Sequence, residues 1–134
     1  MASIHRSIPI HVPAQQVWAA LEDVGALHTR LVPGFVTDCT LEGDVRQVSF
    51  ANGMQVSERI IDVDPQRMRV VWSAAGGRLS HHNASAQVVP TGEHHCEVIW
   101  VADLLPHAMA PAIAGLIEQG LAAMKRCQES ANTA

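Results

Sequence analysis

Val45-Arg46-Gln47-Val48-Ser49-Phe50-Ala51-Asn52-Gly53-Met54-Gln55-Val56-Ser57-Glu58-Arg59-Ile60 reads as a hairpin, and its turn decides which side chains share a face. A two-residue Asn52-Gly53 turn would pair Phe50 with Gln55 and mix apolar and polar residues on both faces. A three-residue loop, Ala51-Asn52-Gly53 with Gly53 left-handed, is also common. It collects Arg46, Val48, Phe50, Met54, Val56, Glu58 and Ile60 on one face, and leaves Gln47, Ser49, Gln55, Ser57 and Arg59 on the other. A sheet with one buried face demands this alternation, so the second register is preferred.

Turn signals at Gly43-Asp44, Asp64-Pro65, Gly76-Gly77 and Thr91-Gly92 cut the surrounding chain into further strands. Their inner faces carry Thr37, Cys39 and Leu41, then Val70, Trp72 and Ala74, then His82, Ala84, Ala86 and Val88, and last Cys96, Val98, Trp100 and Ala102. Upstream, Ile4, Ile8, Ile10 and Val12 alternate with polar residues as a half-buried strand. Pro13 opens a helix with Val17, Trp18 and Leu21 as its stripe, Gly25 breaks it, and a second short helix covers about 26–31. Downstream of Pro106, residues 108–127 form a long helix whose buried face is Met109, Ile113, Leu116, Ile117, Gly120, Met124 and Cys127. One strand, two helices, six strands and a long helix define an α+β fold with an antiparallel sheet.

Pairing consecutive strands as hairpins predicts a row across the sheet: Arg46, Glu58, Trp72, His82, Trp100. Glu58 and His82 then stand roughly 10 Å apart across Trp72. Arg46 beside Glu58 is either a rim salt bridge of little worth or a buried pair that orients a ligand. His82 is either a hydrogen-bonded core histidine or a catalytic base. The middle of the inner face is small (Ala74, Ala84, Ala86, Ala102), as is the helix opposite (Ala112, Gly115, Gly120, Ala123). A curved sheet cannot approach a helix along its whole length, so a cavity is expected. The opposing outcome is an interior filled by Trp72 and Trp100, with no void above about 300 Å³.

With 134 residues and 48% hydrophobic content, the chain is one ordinary domain, assigned to residues 1–129, with 130–134 as a flexible tail. A net charge of −4 and nine scattered Lys and Arg argue against nucleic acid. No stretch has signal-peptide character or the roughly 20 apolar residues of a membrane span. Cys39, Cys96 and Cys127 are an odd count without metal spacing, which fits reduced thiols in a cytoplasmic protein. His81-His82 and His94-His95 cannot chelate as pairs, because adjacent strand residues point to opposite faces. No metal and no cofactor are expected, and the chain is expected to be a monomer or a homodimer without stable membrane insertion.

The order and spacing of several short motifs carry a family resemblance. They are Ile10-His11-Val12-Pro13-Ala14 leading to Val17-Trp18, Gly43-Asp44-Val45-Arg46, Gly53, Ser57-Glu58-Arg59-Ile60 with Asp64, His81-His82-Asn83-Ala84-Ser85, and Trp100 with Asp103 and Pro106. Over nearly the whole chain the sequence resembles the SRPBCC, START-like (Bet v 1-like) superfamily. Within it, it is most similar to the bacterial polyketide cyclase/dehydrase and lipid-transport branch. The resemblance implies a helix-grip fold, a curved seven-stranded antiparallel sheet around a long C-terminal helix. It also implies pocket positions at Thr37, Val56, Glu58, Trp72, His82, Ala84, Val98 and Gly120. The facing analysis adds Cys39, Val48, Phe50, Trp100 and Leu116. In the distantly related abscisic-acid receptors a lysine matching Thr37 meets the hormone's carboxylate; Thr37 cannot, and the short Ala51-Asn52-Gly53 loop departs from their gate loop.

Two functions follow as expectations. The first is binding or transport of an apolar small molecule of lipid, isoprenoid or aromatic polyketide type. The alternative is a cyclase/dehydratase enzyme in which His82 is the general base and Arg46–Glu58 polarise a carbonyl or protonate departing water. A filled interior would instead indicate an interaction domain.

Overall fold

The N-terminal alternation becomes strand β1 (Ala2–Ile10), in which Ala2, Ile4 and Ile10 are buried and Ser3, His5 and Ser7 are exposed. A computed structural model describes residues 2–76 and 78–131. After β1 come α1 (Ala14–Glu22), a π-helical turn (Leu27–Leu31), β2 (Val36–Glu42), β3 (Val45–Phe50), β4 (Gln55–Asp64), β5 (Arg69–Ala75), β6 (His81–Gly92) and β7 (His95–Leu105). A 3-10 turn (His107–Met109) leads into α2 (Ala110–Ala131). The helix thus continues past the expected boundary at residue 129; residues 132–134 of the expected tail, and Gly77 of the Gly76-Gly77 turn, lie outside the described residues.

The strands form one antiparallel sheet in the order β1-β7-β6-β5-β4-β3-β2. Each strand from β2 to β6 pairs with its successor, and β1 closes onto β7. This is the helix-grip architecture of α+β class. Pro13 caps α1 rather than lying inside it, its fixed φ of −60° suiting the helix start.

The β3–β4 hairpin has the three-residue loop. The Phe50 N–H donates to the Met54 carbonyl at 2.8 Å, Val48 stands opposite Val56 and Arg46 opposite Glu58, and Gly53 has φ +90°. Asn52 Oδ1 accepts the Met54 N–H, which steadies the loop.

The long row across the sheet needs correction. Glu58 stands opposite Ala74, Trp72 opposite Ala84, Ala86 opposite Trp100, and His82 opposite Leu104. His82 therefore does not share a row with the two tryptophans. All these residues keep their inward parity; the β5–β6 and β6–β7 hairpins set the registers that move His82 out of the row, and a separate bulge between Ile60 and Asp62 interrupts the β4–β5 pairing. A second bulge, between Val36 and Asp38, turns Val36 inward and leaves Thr37 exposed. Leu41, also expected inside, is exposed on the edge strand β2.

Candidate functional site

The three-residue hairpin loop sets Arg46 and Glu58 opposite one another, and both are buried, at 4% and 8% exposure. They are not a rim pair. Arg46 Nε donates to Glu58 Oε1 at 2.8 Å and Nη1 donates to the Val24 carbonyl at 3.1 Å. The guanidinium also lies over the Trp72 ring, 5.4 Å from its centroid. Two opposite charges, a carbonyl and a π face compensate one another here, as buried charge requires.

Trp72 meets Trp100 edge to face, with centroids 5.6 Å apart. Trp100 reaches α2 at Gly120, where a Cβ would stand 2.8 Å from Trp100 Cζ3. The glycine lets the indole lie against the helix. Phe35 and Phe50 form a second edge-to-face pair at 5.3 Å.

Between these aromatic pairs and α2 lies a cavity of about 120 Å³. Its wall is apolar except for Arg46, Glu58 and His82 among the described residues. Met54 both lines it and is 42% exposed, so its mouth lies at the β3–β4 loop. The volume falls below the roughly 300 Å³ that separates an open hollow from an interior filled by Trp72 and Trp100, so the two indoles occupy much of the space and the interaction-domain reading gains by that measure.

His82 enters the wall through an irregularity. The regular β5–β6 pairing ends at Trp72 and Ala84, and the Ala74 N–H beyond it donates to His82 Nδ1 at 3.0 Å. An amide nitrogen cannot accept, so Nδ1 holds its lone pair and the ring proton is on Nε2. Burial foremost, and the charge of neighbouring His81 next, hold His82 below the usual imidazole range. The ring is neutral near pH 7 and presents an N–H donor.

Of the thirteen predicted binding residues, Phe50, Val56, Glu58, Trp72, His82, Trp100 and Leu116 line the cavity. Thr37 does not: it is exposed, its hydroxyl donating to the Ser49 carbonyl. Cys39, Val48, Ala84 and Val98 face inward but are sealed in the core beneath. Gly120 is covered by Trp100 and Phe35. Parity gives a side chain's face, whereas depth depends on what covers it. Phe35 and Leu79, which lie in connections, and Leu27 and Leu31 of the π-helical turn also line the cavity, beyond the positions expected from the sequence. Large apolar residues beside the turn signals Pro33-Gly34 and Gly76-Gly77 were the available clue.

Nucleophilic and metal chemistry find little here. Burial raises the Cys39 and Cys96 thiols above their ordinary range, so both stay protonated. Among the described residues, no group of three or more His, Cys, Asp or Glu side chains could hold a metal ion, and no helix is long and apolar enough to cross a membrane.

A curved sheet gripping a long helix, with a small apolar hollow between them, defines a helix-grip domain of the Bet v 1-like, SRPBCC kind. The chain belongs to the polyketide cyclase/dehydrase and lipid transport family, whose model matches residues 1–129. Solved structures share the fold. XoxI from Bacillus cereus superimposes with a TM-score of 0.86 at 19% identity, covering 100% of both chains. The di-domain ARO/CYC BexL of the BE-7585A biosynthetic pathway gives 0.82 at 17%, covering 100% of this chain and 48% of that one. Norcoclaurine synthase from Thalictrum flavum, a point mutant in complex with a transition-state analogue, gives 0.72 at 20%, covering 97% and 92%. No curated protein matches the sequence.

Proposed function

We propose that the domain binds a small apolar molecule in the hollow between sheet and α2, as a carrier or sensor. The observation that carries this reading is an apolar cavity with a mouth at Met54 whose wall includes a buried, ion-paired carboxylate. An interaction domain with a filled core would gain nothing from directing Glu58 toward a void. The small volume favours a compact ligand over an extended acyl chain, since an apolar cavity of about 150 Å³ accommodates benzene.

The cyclase or dehydratase alternative draws support from the family and from the fold shared with BexL and norcoclaurine synthase. The mechanism expected for it does not suit His82. With Nδ1 accepting the Ala74 amide and Nε2 protonated, the ring has no lone pair to offer a substrate carbon.

Native mass spectrometry of protein purified from its own host should reveal a retained apolar small molecule. Titration of emptied protein with ethylbenzene should change its tryptophan fluorescence through Trp72 and Trp100. Absence of both signals would refute the binding reading.

A further inference from the structure

The ends of β5 and β6 are joined by a side chain where the sheet's own bonds give out. Regular β5–β6 pairing stops at Trp72 and Ala84. Beyond it, the Ala74 N–H donates to His82 Nδ1 at 3.0 Å, so the ring supplies the acceptor that a paired strand would otherwise offer. An imidazole can do this only while Nδ1 keeps its lone pair. An imidazolium has two N–H donors and no acceptor. The bond therefore exists in one protonation state of one residue.

The same ring lines the cavity, so its charge also decides the character of the wall. The groups around it compensate a proton poorly. On its own strand the neighbour whose charge acts on it is His81, a like charge. From β4, Glu58 faces the cavity, but its carboxylate is engaged by Arg46 of β3. On β7, Leu104 stands opposite, and Asp103 beside it turns to the other face with Asn83. The side chains that α1, the π-helical turn, β5 and α2 contribute to the wall are uncharged. Arg78, before β6, and His107, after β7, are exposed. Burial foremost, and His81 next, oppose protonation of His82 in the folded chain.

We propose, resting on the binding function above, that His82 is a pH-sensitive clasp: at neutral pH its ring ties β6 to β5 and keeps the cavity wall uncharged there, and on acidification it releases Ala74 and lowers affinity for an apolar ligand. Two effects act in the same direction. The Ala74 N–H loses its acceptor, which loosens the strand ends near Ala74 and Leu79, both in the cavity wall. A cation also appears in a surface that an apolar ligand must cover, and covering it is costly. The folded pKa is depressed, so the clasp contributes above the ordinary imidazole value of 6.5 and is lost as pH falls through that value toward the folded one. Linkage requires the reverse effect as well: a ligand that covers the neutral ring makes it harder to protonate.

Nitrogen NMR of the full chain locates the His82 titration, and calorimetry with ethylbenzene reads affinity on either side of it. Affinity should fall about tenfold or more as the ring protonates, and bound ethylbenzene should move the titration to lower pH. His82→Asn puts a carboxamide oxygen near the Nδ1 position and does not titrate. Whatever its affinity at neutral pH, the ratio of its affinities at the two pH values should be close to one. The Ala74 amide's protection factor in hydrogen exchange should drop as the wild-type ring protonates, a readout that needs no ligand and stands if the variant fails to fold. Affinity that is unchanged across the titration, or that changes equally in His82→Asn, would overturn the clasp and leave cavity binding intact. An Ala74 amide that stays protected throughout, or a ring that stays neutral until the fold is lost, would overturn it as well. Failure of ethylbenzene to bind at any pH would count against the binding reading, and Ala74 protection would then decide the clasp by itself.

Discussion

The two halves of α2 are held in different ways. From Ile117 onward the helix contributes Ile117, Gly120, Leu121, Ala123, Met124 and Gln128 to the buried set, whereas Ala110–Leu116 contribute none. The C-terminal half is also tied by polar contacts. Lys125 Nζ donates to the Pro9 carbonyl at 2.8 Å, Glu129 Oε2 accepts the His11 N–H at 2.9 Å, and Gln128 Nε2 donates to the Arg30 carbonyl at 2.8 Å. Both halves line the cavity, Ile113 and Leu116 as half-buried side chains and Ile117 and Met124 as buried ones, and the Arg6–Glu118 ion pair beside the first half is exposed. A helix anchored at one end can seal a pocket there and leave the other end adaptable without unfolding. Exposed ion pairs contribute little, so the asymmetry rests on burial and on hydrogen bonds to the backbone.

Truncation should expose this contrast most strongly. Met124 is fully buried in the anchored half, and Met124→Ala should lower stability by about 2–5 kcal/mol in urea unfolding. Ile113→Ala, in the half-buried N-terminal half, should cost below about 1.5 kcal/mol because part of that side chain is already in water. Amide hydrogen exchange should be faster over residues 110–116 than over 121–128. Equal protection of the two halves would remove the asymmetry.

Gln128→Ala tests the polar ties of the anchored half. It removes the amide donor to the Arg30 carbonyl, which keeps the Cys127 thiol at 3.4 Å, and removes Oε1 from Gln16 Nε2, which keeps the Gln128 main-chain carbonyl at 2.9 Å. A loss of about 0.5–1.5 kcal/mol is expected, measured by thermal or urea unfolding, with little change in affinity for a cavity ligand. Loss of ligand affinity without loss of stability would assign Gln128 to the cavity and not to the anchor.

The facing of side chains was more legible in the sequence than the register and volume of the cavity, for a physical reason. A strand period of two and a helical stripe specify faces, so the inward parity of Arg46, Glu58, Trp72 and His82 could be read directly. Register across strands depends on bulges, and nothing in Ile60-Ile61-Asp62 or Val36-Thr37-Asp38 marks one. The second slip took Thr37 out of the interior, and the β6–β7 hairpin, irregular at Pro90/Gly92, sets Trp100 opposite Ala86 and not His82. Cavity volume was less legible still, because it depends on how two indoles pack against each other and against Gly120. The donor role of His82 required knowing that β5–β6 pairing stops at Ala84, two residues short of it. The Arg46–Glu58 contact, by contrast, followed from one hairpin loop.

Gly120 lies where the two halves meet, and Gly120→Ala tests their junction. The added methyl would stand 2.8 Å from Trp100 and 3.2 Å from Phe35, so the indole must move. Overpacking costs about 1–3 kcal/mol. Replacing a helical glycine by alanine returns about 1 kcal/mol, leaving a net loss of up to about 2 kcal/mol. Displacement of Trp100 toward the cavity should reduce ligand affinity and shift tryptophan emission, although stability changes modestly. Unaltered emission and affinity would mean that Trp100 does not form the cavity wall.

The smallest expected effect is a pH dependence confined to the anchored end. The Lys125 ammonium and the His11 N–H hold Glu129 below the ordinary carboxylate range. Its folded pKa is depressed, so the unfolded chain binds the proton more readily. The contribution is therefore fully present above the unfolded value near 4.5 and is lost as pH falls through that value toward the folded one. Glu129 is largely open to solvent, which keeps the contribution small. In Glu129→Gln the stability deficit relative to wild type should be constant above about pH 6 and shrink on acidification. Hydrogen exchange should locate the deficit in residues 121–129 and leave 110–116 unaffected. A deficit that grows toward acid, or one that loosens the N-terminal half, would show that the two ends of the helix are not held independently.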